Sequence, residues 1–175
     1  MKKILALYIS TSLIVFLMPI AVLAAEEPIQ YYPLYRLYNA GLQDHLYTSS
    51  LEEIEVAKKS GYILELTYSN LGSRQLLQNQ TPLYRLWNKK LQKHFYTDSN
   101  DELADVVINR GYTLESTLGF LSSDFDSSAT GVIYRLYNPQ TVDHLYTNSW
   151  VEWGMLQLSG WQDEGTLEGR LYPVQ

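Results

Sequence analysis

Three short clusters hold most of the residue types that could do chemistry. The first is Tyr35-Arg36-Leu37-Tyr38-Asn39 with His45-Leu46-Tyr47-Thr48. The second is Tyr84-Arg85-Leu86-Trp87-Asn88 with His94-Phe95-Tyr96-Thr97, and the third Tyr134-Arg135-Leu136-Tyr137-Asn138 with His144-Leu145-Tyr146-Thr147. They use all three histidines of the chain, one each, at steps of 49 and 50 residues. A single copy resembles an active-site string. Three copies at a fixed period indicate a repeat architecture, so any site is threefold or has diverged between copies.

Each residue type admits two readings. Arg36, Arg85 and Arg135 offer a planar fork for a carboxylate on a wall polymer or peptide stem. They could equally pair within their own unit with Glu65, Glu115 and Glu164, or stack on a ring, and the sequence favours this. His45, His94 and His144 could converge on zinc, since three histidines and an open position suit that metal. A histidine between aromatic strands more often donates one ring nitrogen to a carbonyl or carboxylate. The expectation is therefore no metal and no cofactor.

Fifteen tyrosines stand against four phenylalanines. A core needs rings but not that many hydroxyls, each wanting a partner when buried. Tyr38, Trp87 and Tyr137 share one repeat position and are expected as ring platforms for a sugar. Tyr47, Tyr96 and Tyr146 are a second such set. The competing reading puts at least half of these rings in an interlocking core.

Catalytic motifs are absent. There is no cysteine nucleophile, Gly-x-Ser-x-Gly elbow, His-Glu-x-x-His zinc helix or phosphate-binding glycine loop. A glycosidase needs two carboxylates in different environments, whereas the glutamates here come in similar threes.

The elements that must position these residues are legible. Each cluster begins with period-2 alternation rich in aromatics, which reads as a strand. Asn39-Ala40-Gly41, Asn88-Lys89-Lys90 and Asn138-Pro139 read as turns, and His-x-Tyr-Thr as the return strand of a hairpin. Ser50-x-x-Glu53, Ser99-x-x-Glu102 and Ser149-x-x-Glu152 then open helices as capping boxes. Gly61, Gly111 and Gly160 end them as left-handed caps. A last strand carries Glu65, Glu115 or Glu164. Ser69 to Thr81 and Ser122 to Gly131 read as polar connectors.

The fold class expected is α+β and β-dominated: three strand-strand-helix-strand repeats in one domain closed around a pseudo-threefold axis, with an open stack as the alternative. The repeats run from about 31 to 79, 80 to 129 and 130 to 175.

Residues 1–25 differ from the rest. Lys2 and Lys3 precede the apolar run Ile4 to Leu23, which ends in Ala24-Ala25, and this reads as a cleaved secretory signal peptide. Residues 26–175 form the single mature domain, with no membrane span. Removing Lys2 and Lys3 takes the formal net charge from -6 to -8. Such an acidic chain has no electrostatic footprint for nucleic acid. A secreted chain without cysteine fits a Gram-positive exporter.

The quoted residues resemble a tyrosine-rich triple-repeat family of secreted proteins. Its signature is Tyr-Arg-Leu-Tyr-Asn-Pro, then Asp or Glu, His-Phe-Tyr-Thr, a capped helix, Gly-Trp or Gly-Tyr, and Glu-Gly. That family is of unknown function and is often appended to Gram-positive cell-wall hydrolases and surface proteins. The third repeat matches best, while the second departs with Lys89 after Asn88 and Lys93 before His94. The resemblance implies an accessory binding role rather than catalysis, and with the tyrosine excess the reading is a secreted, non-catalytic module for cell-wall or surface carbohydrate. A bacteriocin-like competition effector is the alternative, and a cell-wall hydrolase the third.

Overall fold

The computed structural model describes residues 30–72, 80–123, 129 and 131–173. The expected signal peptide lies outside the described residues. Unit one comprises β1 (Tyr32–Asn39), β2 (Asp44–Thr48), α1 (Leu51–Lys59) and β3 (Ile63–Leu71). Unit two comprises β4 (Gln80–Asn88), β5 (Lys93–Thr97), α2 (Asn100–Asn109) and β6 (Thr113–Ser122). Unit three comprises β7 (Tyr134–Asn138), β8 (Asp143–Thr147), α3 (Trp150–Leu158) and β9 (Gln162–Thr166). Each unit folds into a three-stranded antiparallel sheet with its first strand in the centre.

The turns form because asparagine substitutes for backbone. Asn39 Oδ1 accepts from the amides of Gly41 and Leu42, and its Nδ2 donates to the Ser60 carbonyl at the helix end. Asn88 repeats this with Lys90, Leu91 and Arg110. One side chain thus fixes both the hairpin and the angle of its helix. At the helix ends, φ is +89° at Gly61, +74° at Gly111 and +92° at Gly160, as the left-handed cap requires.

The capping boxes form only by half. Ser50, Ser99 and Ser149 accept from the amides of Glu53, Glu102 and Glu152. The glutamates do not return the bond. The serine amides donate instead to Thr48, Thr97 and Thr147 Oγ1 at 3.0–3.1 Å. That substitution frees each carboxylate for a neighbouring unit.

The strands after the helices run further than the sequence indicates. β3 reaches Leu71, β6 reaches Ser122, and β4 begins at Gln80, so the ends of the expected connectors are strand. Residues 73–79, 124–128 and 130 of those connectors lie outside the described residues. The strand tails stay ordered because they meet one another. Asn70 N donates to Tyr172 O at 3.0 Å, Gly72 N to Phe120 O at 2.8 Å, and Ser122 N to Arg170 O at 2.9 Å. The three units therefore close on themselves, and the open stack is excluded. A Cβ on Gly169 would come within 2.5 Å of Leu121 Cβ, so this approach requires glycine.

All three units share one core. Leu34 and Leu83 enter from the central strands, Ile133 from the residue before β7, and Leu71, Leu121 and Leu171 from the tails, around Tyr47, Tyr96 and Tyr146. Full burial of each such aliphatic side chain contributes roughly 1.5–3 kcal/mol. Smaller cores lie under α1, with Ile54 and Ala57, and under α2, with Val106. α3 buries no residue completely. It is held by Trp153, whose ring lies 5.4 Å from Tyr134 and whose Nε1 donates to Asp163. Among the described residues no helix is long and apolar enough to cross a membrane.

Candidate functional site

The second strands β2, β5 and β8 surround the axis and touch pairwise. Their alternation sends Tyr47, Tyr96 and Tyr146 inward, with exposures of 2%, 2% and 4%. The three rings meet edge-on at 5.1–5.6 Å. Each hydroxyl serves a neighbour's backbone. Tyr146 Oη accepts from Tyr96 N at 2.9 Å and donates to Tyr96 O at 2.7 Å, and Tyr47 does the same for Tyr146. Tyr96 closes the cycle by accepting from Tyr47 N at 2.7 Å. This placement removes the set from ligand contact, a correction to the expectation of ring platforms. Hydroxyl-rich rings were needed here because each must join two backbone groups across a closed axis.

A second cyclic arrangement lies one residue pair away. His45 Nδ1 stands 2.6 Å from Asp143 Oδ2, and His94 Nδ1 stands 2.6 Å from Asp44 Oδ2. With ionised aspartates the proton is on Nδ1. The partner always comes from another unit, and the residue before each histidine supplies it. The third seat is broken, because Lys93 occupies the aspartate position. Its Nζ turns away to the carbonyls of Leu42 and Gln43. His144 Nδ1 is left buried without a hydrogen bond. Burial, reinforced by Arg135, lowers the His144 pKa to about 3. Lys93 lies near Asp44 and Asp143, and its cation offsets two buried carboxylates that a third would repel.

The sign of the consequence is set by that shift. The unfolded chain takes up the His144 proton below about pH 6.5, and the folded chain does not. Stability is therefore lost from about pH 6.5 downward toward pH 3. Lys93→Asp restores the carboxylate, and the His144 imidazole is expected to titrate well above pH 3. An NMR titration reading His144 still neutral at pH 5 in Lys93→Asp would contradict this pairing.

The arginines take both an intra-unit and an inter-unit partner. Nε of Arg36, Arg85 and Arg135 lies 2.8, 3.0 and 3.0 Å from Glu65, Glu115 and Glu164 of its own unit. The guanidinium tips reach the helix-start glutamate of another unit. Arg85 holds Glu53 at 2.8 Å twice, Arg36 holds Glu152 at 3.1 and 2.7 Å, and Arg135 holds Glu102 at 2.8 Å. Half-burial disfavours these carboxylates, but the arginine hydrogen bonds outweigh it and keep Glu53, Glu102 and Glu152 below the ordinary glutamate range. At Glu164 half-burial prevails over Arg135, and its pKa rises. A free fork for an external carboxylate does not exist at any of the three.

Tyr38, Trp87 and Tyr137 differ from the other rings. They are half-buried, tilted on His45, His94 and His144 at 4.6, 4.6 and 4.9 Å. Nε2 of each histidine faces the unit's own glutamate at 3.5–3.7 Å. Each unit therefore gathers its own ring, histidine, arginine and strand glutamate with a helix-start glutamate of another unit, the ring half-buried and, in units one and two, the arginine and histidine buried. Sequence reasoning brought the ring, histidine and arginine together. It read the helix-start glutamates as capping-box residues and met the acidic position of Asp44 and Asp143 only in the family signature, so it missed their partners in other units. Among the described residues no group of three or more acidic or histidine side chains could hold a metal ion.

A family model described as Domain of unknown function (DUF5648) matches residues 33–168. No curated protein and no solved structure matches the chain.

Proposed function

Since the chain belongs to the family described as Domain of unknown function (DUF5648), membership brings no activity with it, and we propose from its own residues that it is a secreted, non-catalytic binding module for cell-wall or surface carbohydrate. The observation that carries this is the trio Tyr38, Trp87 and Tyr137. These rings are only half-buried, and each is held at a fixed tilt by a histidine. A rigid ring with one face wet and hydrogen-bonding groups beside it suits a sugar, which is apolar on its faces and polar at its edges. Three such rings on one rigid body gain apparent affinity on a polymer that repeats. The pairing of the rim carboxylates with arginine favours binding over hydrolysis, because a glycosidase needs one of two carboxylates protonated and the other free.

The test is sedimentation of the purified mature protein with peptidoglycan. Trp87→Ala and Tyr137→Ala are expected to reduce the bound fraction several-fold with a loss of stability under about 1 kcal/mol, in the range of half-exposed surface changes. A large drop in melting temperature would identify these rings as structural. Failure of the wild-type protein to bind wall, teichoic acid or any arrayed glycan would end the carbohydrate reading.

A further inference from the structure

The seam between units occurs three times, so equivalent positions can be compared. At the seam of units one and two, an open groove of about 930 Å³ lies between α1 and β6. Small-ligand clefts span roughly 300–1,000 Å³. Glu52 and Val56 line one wall, Ser116, Thr117 and Phe120 the other, and Arg85 belongs to the lining. Ser116 Oγ is buried there without a hydrogen-bond partner. Arg85 and Trp87 lie two residues apart on β4 and so share one sheet face, although the Trp87 ring itself is outside the groove lining.

The sister seams have different chemistry. Counted from the helix caps and the strand glutamates, Glu52, Val56 and Ser116 correspond to Asp101, Asp105 and Gly165 at the second seam. At the third they correspond to Val151, Met155 and Leu66. All three seams keep hydroxyls at the positions of Thr48, Ser50 and Thr117; the first adds Ser49 and Ser116 beside the apolar Val56, where the second has Asp98, Gly165 and Asp105 and the third Asn148, Leu66 and Met155. Hydroxyls next to apolar and aromatic surface match the faces and edges of a sugar, so the first seam is the one suited to it.

Charge narrows the ligand further. The cation lining the groove, Arg85, already carries Glu53 at 2.8 Å and Glu115 at 3.0 Å. Glu52 is exposed at the wall, and among the described residues that line the groove Arg85 is the one arginine. The groove therefore presents excess negative charge, which opposes phosphate or carboxylate.

We propose that the groove between α1 and β6 is the principal glycan seat, and that it takes a neutral or amino-bearing oligosaccharide rather than an anionic wall polymer. This rests on the carbohydrate reading above. The probes are N-acetylglucosamine oligomers, their deacetylated amino counterparts and purified teichoic acid, measured by titration calorimetry. Val56→Trp fills the groove from an exposed position. Asp105→Trp makes the same change at the second seam. Val56→Trp is expected to weaken the neutral or amino oligomers by about tenfold or more, and Asp105→Trp to leave affinity within about twofold. Equal effects of the two variants, with Trp87→Ala still weakening binding several-fold, would remove the groove and spare the carbohydrate reading. Tighter binding of teichoic acid than of the oligomers would overturn the ligand class. Wild-type protein that binds none of the probes would overturn the groove proposal, and failure on wall and arrayed glycans as well would overturn both.

Discussion

Tyr146→Phe is expected to lower the melting temperature by roughly 5–15 °C, for a loss of about 2–4 kcal/mol. The substitution keeps the ring and its volume, so no cavity forms in the central core. What it removes is one hydroxyl that serves two backbone groups. Tyr96 N–H loses its acceptor at 2.9 Å, and Tyr96 C=O its donor at 2.7 Å. Tyr146 and Tyr96 are both buried, so no water replaces the hydroxyl. An unsatisfied buried amide or carbonyl costs about 1–3 kcal/mol. Against a total stability of about 5–15 kcal/mol this is a large fraction. Tyr84→Phe is the control, because Tyr84 Oη bonds Asn100 at the surface, and its expected effect is within about 0.5 kcal/mol. Similar melting temperatures for the two variants, measured by circular dichroism, would refute the buried tyrosine cycle.

Arg85→Met is expected to lower stability by about 2–4 kcal/mol, below the roughly 3–5 kcal/mol seen when a fully buried pair is broken. The reduction follows from Glu53 and Glu115, whose side chains are each 33% exposed and partly rehydrate. Arg85 is 9% exposed and joins the helix start of unit one to the last strand of unit two. A double-mutant cycle with Glu53→Gln isolates the inter-unit bond. Acid titration gives an independent readout. Glu53 is held below the ordinary glutamate range, so its contribution is present above that range and is lost as pH falls through the lowered value. In Arg85→Met this part of the acid dependence disappears. Additive effects in the cycle, with an unchanged acid profile, would show that the seam does not depend on this pair.

How much of this was legible depends on the distance over which each interaction acts. Ser50, Asn39 and Gly61 announce their roles because the groups they satisfy lie within a few residues, or at a left-handed φ that glycine prefers. Glu53 was misassigned for the same reason. The short-range rule offers it its own helix start, while the folded chain offers the guanidinium of Arg85, a stronger charge-assisted and bidentate partner. The Arg85–Glu115 pair was readable because both belong to one sheet, in which Arg85 faces Ser116 across the strands.

The sequence by itself determined the repeat, its period, its turns, its helix caps and the alternation that turns one face of each strand inward. These are local properties, repeated three times, and repetition strengthens each of them. Only the tertiary structure decided which unit serves which. His94 takes Asp44 from 50 residues away, and Tyr146 takes Tyr96 across the same span. By sequence alone the equivalent residue of every unit is an equal candidate. Closure around the axis selects among them, since each second strand then faces its neighbours and no longer its own copy. The same closure separates the rings: Tyr47, Tyr96 and Tyr146 fill the axis, while Tyr38, Trp87 and Tyr137 stay at the rim.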